Sequence, residues 1–194
     1  MVACSNDGEP TPDMLTELCN VYIDRQSVAA LITLDDGTAL DISAQGLKAD
    51  VADTTVRCAV TYGWQNGTVY IYNNTPALCL AALPADHFRT ISHDPVKLIS
   101  VWQKGKYINM TFGEMTTGNG GHEYAFCIDS LQSRTLYTSL LHRQPAGDAA
   151  SYTQKRYASM PFLGYYGTEA YDSVSFSIFT YEGLKTFVFP AVVR

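Results

Sequence analysis

Residues 94–112, Asp-Pro-Val-Lys-Leu-Ile-Ser-Val-Trp-Gln-Lys-Gly-Lys-Tyr-Ile-Asn-Met-Thr-Phe, constrain the fold more than any other part of the chain. The segment marks a domain start and then alternates. Ile108, Met110 and Phe112 fall on one side of an extended backbone, with Tyr107, Asn109 and Thr111 on the other. That period of two predicts a strand with one buried face. More strands follow, predicted over 96–103, 106–114, 122–130, 134–142, 172–181 and 184–193, with a looser section over 152–166. In the penultimate strand Val174, Phe176 and Ile178 oppose Ser173, Ser175 and Ser177, a dry face and a wet one.

The first half is read the same way. A strand over 15–23 precedes 27–34, which turns through Asp35-Asp36-Gly37 into 38–43; Asp-Gly between β-rich runs is a strong hairpin signal. Residues 54–62 pass through Gly63 to Gly67 and return over 68–72, and 77–83 is expected to close the sheet. Thirteen Tyr and eight Phe with only 16% charged residues favour strands throughout. The expected fold class is all-β: a flexible tether over 1–13, a small OB-like barrel over 14–90, and an immunoglobulin-like β-sandwich over 91–194. No run reaches the roughly 20 apolar residues of a membrane-spanning helix.

Charge excludes some functions. Residues 1–90 carry four basic and eleven acidic groups, a net of −7, and residues 91–194 nine and eight, a net of +1. A nucleic-acid partner needs Lys and Arg to neutralise phosphates, so none is expected. The five cysteines, Cys4, Cys19, Cys58, Cys79 and Cys127, contain no C-x-x-C pair, and no His stands at ligand spacing. Neither a metal nor any cofactor is expected. Cys58 keeps step with Val56, Val60 and Tyr62 on an apolar face and reads as packing, as do Cys19, Cys79 and Cys127; a disulfide among Cys19, Cys58 and Cys79 stays open.

Met-Val-Ala-Cys followed by Ser-Asn-Asp-Gly-Glu resembles the end of a bacterial lipoprotein signal, which makes Cys4 the expected lipid-attachment residue. The hydrophobic segment of such a signal is missing, so the chain is expected to be trimmed. Diacylglycerol on Cys4 would hold folded domains at a membrane surface.

Asp94 to Trp102, Gly105 to Phe112 and the earlier Leu31-Ile32-Thr33-Leu34-Asp35-Asp36-Gly37-Thr38 resemble the corresponding hairpins of NigD-like proteins. The resemblance implies an N-terminal OB-like domain, a C-terminal β-sandwich and a lipoprotein of the bacterial envelope, here expected at the outer membrane. The family takes its name from a bacteriocin locus, where a role in immunity has been suggested, and it brings no catalytic or binding residues. The missing signal segment and the cysteines of the first domain depart from it.

Catalytic arrangements are weak. Glu114, Glu123 and Asp129 lie on or near neighbouring strands as a glycosidase pair would, but alternation turns Glu123 to solvent with Ala125. Ser92, His93 and Asp94 are adjacent on an extended segment, where they cannot aim at one atom. His87, His93, His122 and His142 read as surface or satisfied structural residues. Two aromatic groups suit binding better. Phe162, Tyr165 and Tyr166 share a Gly-flanked loop, and Tyr62, Trp64, Tyr70 and Tyr72 would form a platform on the barrel. The expected function is therefore non-enzymatic: an envelope lipoprotein that binds another protein, in bacteriocin-related immunity or a surface complex. A carbohydrate-binding accessory protein is the alternative, followed by a hydrolase of unrecognised type.

Overall fold

The computed structural model describes residues 14–42, 49–118, 121–148, 151–162, 165–167 and 169–191. Cys4 lies outside them. The chain divides into two compact units, one of residues 1–34 and 38–76 and one of residues 35–37 and 77–194. Both are built from strands, an OB-like curled sheet in the first and a sandwich in the second.

In the first unit, β1 (Leu15–Ile23), β2 (Ala29–Thr33), β3 (Ala39–Asp41), β4 (Thr54–Gln65) and β5 (Thr68–Pro76) form one antiparallel sheet of order β3-β2-β1-β4-β5. Asn66 and Gly67 take positive φ in the β4–β5 turn, the demand of a tight primed hairpin. The sheet curls until Ile42, just past β3, bridges Val69 of β5. Cys19 and Cys58 face each other across β1 and β4 inside a core with Val21, Ile32, Val60 and Tyr62.

The second unit begins earlier than the sequence suggests. Residues 77–90 were expected to complete the barrel, with 77–83 as its closing strand. Instead β6 (Leu78–Cys79) and β7 (Leu83–Pro84) pair in parallel with strands of the sandwich, and Leu78 and Ala82 pack on its core. Pro84, which lacks an N–H, suits the end of such an edge strand. A 3-10 turn over Ala85–His87 follows.

Two sheets face each other in this unit. One holds β8 (Lys97–Lys104), β9 (Tyr107–Thr116) and β12 (Tyr152–Pro161) in the order β6-β12-β9-β8. The other holds β10 (Glu123–Gln132), β11 (Thr135–Arg143), β15 (Ser173–Thr180) and β16 (Gly183–Pro190) in the order β16-β15-β11-β10-β7. A small hairpin, β13 (Tyr165–Tyr166) with β14 (Glu169–Ala170), completes the set. Ile108, Met110 and Phe112 meet Phe126, Leu140 and Phe176 in the core, and fully burying such side chains is worth about 1.5–3 kcal/mol each. β9 corrects one expectation, because Asn109 and Thr111 are buried as well. A polar side chain tolerates this when partnered, and Ser159 Oγ donates to Asn109 Oδ1 at 2.7 Å. The looser section proves to be β12, paired along the whole of β9.

Candidate functional site

The core of the sandwich changes character along its strands. On β9 the inward residues run Ile108, Met110, Phe112, then Glu114 and Thr116. On β10, read backwards, they run Phe126 and Tyr124, with His122 just beyond the strand end. β11 contributes Leu140 then His142, and β12 contributes Ala158 then Arg156. Alternation thus carries a polar layer into the space between the sheets at one end.

The layer is closely bonded. Arg156 donates to Glu114 Oε1 through Nε at 2.8 Å and Nη2 at 2.6 Å, and the Tyr124 hydroxyl donates to Glu114 Oε2. His122 Nδ1 and His142 Nε2 lie 2.8 Å apart, with the two rings nearly parallel at 12°. His122 Nε2 reaches Asp148 Oδ2 at 2.8 Å, and His142 Nδ1 reaches the Asp94 carbonyl at 2.9 Å. Asp148 also accepts from Thr116 Oγ1 at 2.7 Å and from the Thr117 N–H at 2.6 Å. The side chains of His122, Asp148 and Glu114 are only 1–2% exposed.

These partners fix the proton count. The Asp94 carbonyl only accepts, so His142 Nδ1 carries a hydrogen. The bonds from Thr117 and Thr116 hold the Asp148 carboxyl well below the usual range, so it is ionised and His122 Nε2 donates to it. The bond between the rings needs one hydrogen more. Three hydrogens on four ring nitrogens give the pair one positive charge, with Glu114 Oε2 3.9 Å from His122 Nδ1 on one side and Asp148 on the other. Burial lowers the pKa of His142, which matches a neutral ring there. Burial works against the charge of Glu114, but the bonds from Arg156 and Tyr124 outweigh it and its pKa falls. Burial first, and then Glu114, raise that of Tyr124.

A cleft of about 400 Å³ lies on the other side of β10 and β11. After β7 pairs with β10, the chain crosses both strands and docks beyond β11, where the His142 N–H donates to the Ser92 carbonyl and the Asp94 N–H to the His142 carbonyl, both at 3.0 Å. Phe88, Arg89, Ala125, Leu141, Glu123 and Arg143 line the space left beneath. Arg143 is tied to Glu123, while Arg89 is exposed and has no hydrogen bond or ion pair among the described residues. Tyr124 and His142 also line the cleft, but the Tyr124 hydroxyl and both His142 nitrogens are engaged elsewhere.

The residues singled out from sequence are scattered. Phe162 is buried in the core with its N–H donating to the Lys106 carbonyl at 2.9 Å, and Tyr166 packs beside that core; the Tyr165 side chain lies outside the described residues. Tyr62 is in the core of the first unit with Trp64 against it edge-on at 5.3 Å, while Tyr70 projects from the opposite face. Tyr72, the extra residue of a bulge, takes a bond from Gln65 instead. These four make no common platform. Glu123 faces solvent as expected, and Asp129 accepts from Ser139 apart from Glu114. The pairing of Asp94, His122, His142 and Asp148 was missed. Continuing the alternation past Phe112, Phe126 and Leu140 would have found Glu114, Tyr124, His122 and His142, but nothing marks Asp148 in its turn. Among the described residues no group of three or more His, Cys, Asp or Glu is placed to hold a metal ion.

The fold and this inward polar layer define a two-domain all-β protein, an OB-like domain followed by a sandwich. No protein-family model matches the chain, and no curated protein matches it. Solved structures do. A NigD-like immunity protein from Bacteroides caccae superposes with a TM-score of 0.70 at 23% identity, over 93% of this chain and 94% of that one. A protein described as toxin-related, from Parabacteroides distasonis, gives 0.66 at 14% identity over 92% and 93%. One described as a lipoprotein, from Bacteroides fragilis, gives 0.57 at 12% identity over 94% and 99%. The chain therefore has the fold of a NigD-like protein along nearly its whole length. No helix among the described residues is long and apolar enough to cross a membrane.

Proposed function

We propose that the chain is an envelope lipoprotein, anchored at the outer membrane through Cys4, that acts by binding another protein in bacteriocin-related immunity or in a surface complex. The observation that carries this reading is the division across β10 and β11. The ionisable groups that would suit catalysis point between the sheets and are consumed by one another, while the outer side offers an open cleft with an unengaged Arg89 beside Phe88. Arginine next to an aromatic ring, over an apolar floor of Ala125 and Leu141, is the composition of a protein-binding hot spot. The names of the Bacteroides caccae and Parabacteroides distasonis proteins, immunity and toxin-related, support the same direction.

The test is site-specific photocrosslinking in cells carrying the full-length protein. A photoreactive residue at position 88 is expected to yield one defined protein adduct that Arg89→Glu abolishes, and the same probe at Tyr137 to yield none. If position 88 captures no protein, and the purified protein retains a defined oligosaccharide instead, the reading fails.

A further inference from the structure

Every strand at the edge of a sheet exposes main-chain groups that can recruit another strand, and folded proteins blunt such edges with short strands, bulges and lysines. Short strands or bulges do so at every described edge but one, where Lys185 and the terminal Pro190 of β16 are the only such devices. β3 has three residues, and β6 and β7 have two each. β5 is interrupted by the bulge at Tyr72, and β8 by a bulge at Ile99 with Lys97 and Lys104 near its ends. β16 alone runs for eight residues with unbroken register.

Its free groups can be assigned. The Phe179 carbonyl accepts from the Val96 N–H at 3.1 Å and the Ser173 N–H donates to the Arg134 carbonyl, so these residues of β15 turn their main chain away from β16. Their partners Leu184 and Pro190, and by alternation Thr186 and Val188, therefore direct N–H and C=O outward from the sheet. Pro190 has no N–H, and its carbonyl accepts from Gln103 at 2.9 Å. That leaves Leu184, Thr186 and Val188. Leu184 and Val188 are also among the most exposed large apolar side chains, at 54% and 66%.

We propose that this edge is a self-association surface on which a second copy of the chain adds its own β16, antiparallel, about a two-fold axis at Thr186. In this register Leu184 stands opposite Val188 of the partner copy and Thr186 opposite its counterpart, giving three hydrogen-bonded pairs that exchange two bonds each. The two exposed apolar side chains cover each other, and Lys185 falls opposite Phe187. Centring the axis on Lys185 would set like charges opposite each other, and centring it on Phe187 would place Leu184 against Pro190, which cannot donate. Such an interface is isologous and closes at two copies. Over residues 91–194 nine basic and eight acidic groups nearly cancel, although the whole chain carries a net charge of −6. One strand pair is a small interface, so association belongs in the micromolar range of about 1–100 µM.

Sedimentation velocity of the full-length chain tests this, over about 1–500 µM. A monomer–dimer equilibrium is expected that Leu184→Lys with Val188→Lys weakens by at least about tenfold, while far-UV circular dichroism is unchanged. Register is read by oxidative crosslinking in a Cys4→Ser, Cys79→Ser background. A mixture of Leu184→Cys and Val188→Cys chains should form a mixed disulfide that neither forms alone, because two copies of position 184 would stand about 13 Å apart. Four results would overturn the proposal: a monomer throughout, a dimer indifferent to both lysines, a Leu184→Cys chain that crosslinks to itself, or a different protein captured at this edge in place of a second copy. None of these bears on capture at position 88, so the two readings fail separately.

Discussion

The histidine pair has room for three ring protons, and acidification asks it to take a fourth. Burial lowers the pKa of His142 in the folded chain, whereas the unfolded side chain titrates near its ordinary value of 6.5. Below that value the unfolded state binds a proton that the folded state refuses. The contribution of His142 is therefore present above pH 6.5 and is lost as pH drops, until its folded pKa is reached. The proton count sets the steepness: one proton of difference is worth about 1.36 kcal/mol per pH unit, so about 1–2 kcal/mol should be lost between pH 6.5 and about pH 5. His122, Tyr124, Asp94 and Glu114 surround the ring, with Asp148 beyond His122. Glu114 and Asp148, both held below the usual carboxylate range, stay ionised through this window. Urea unfolding at steps between pH 7.5 and 5 measures the slope. His142→Asn keeps a donor for the Asp94 carbonyl but cannot titrate. It should be less stable at pH 7 by about 1–3 kcal/mol, since His122 loses a partner, and its stability should change less across the window. A wild-type profile flat from pH 6.5 to 5, or a variant as steep as the wild type, would refute the proton count.

Glu114→Gln leaves Arg156 without its carboxylate and the charged imidazole pair with Asp148 alone; because Arg156 is half exposed, the loss should be about 2–4 kcal/mol in the same urea assay, and Arg156→Met in the Gln background should cost little more. Met110→Ala, at a fully buried site, should cost about 2–5 kcal/mol without altering adduct formation at position 88. Trp64→Ala removes an exposed ring packed edge-on against Tyr62 and should cost about 1 kcal/mol by thermal unfolding.

Alternation made the sandwich legible, and its polar interruption is what hid the site. Residues 152–161 looked loose because Gln154 and Arg156 break the apolar pattern, yet they sit on the inner face of a strand paired from end to end with β9. Glu114 drew notice as a carboxylate but not as the continuation of Ile108, Met110 and Phe112. Phe162 and Tyr166 lie among glycines, a loop signature, and only the packing of residues far away in sequence decides that they are inside. The barrel platform failed on register, since the tight turn sets Val69 opposite Trp64 and Tyr70 opposite Gly63, which puts Tyr70 on the face away from Tyr62 and Trp64. The unit boundary was misplaced because two-residue strands such as β6 and β7 leave no period to read.

The polar layer also decides which register the sandwich can adopt. An apolar face alone would tolerate a slip of two residues between β10 and β11, because alternation returns the same face to the core. His142 opposite Tyr124 does not tolerate it. A two-residue slip separates the two imidazoles and breaks either the His142 bond to the Asp94 carbonyl or the His122 bond to Asp148, according to which strand moves. Each orphaned buried group costs about 1–3 kcal/mol, more where it is charged, so the slipped sheet falls several kcal/mol above the observed one. The same bonds tie the loop after Thr116 and the turn ending at Asp148 to the strand ends, which holds the floor of the cleft at Leu141 and Arg143 in a single arrangement. The docking surface proposed on the outer face would thus take its rigidity from ionisable groups on the inner one.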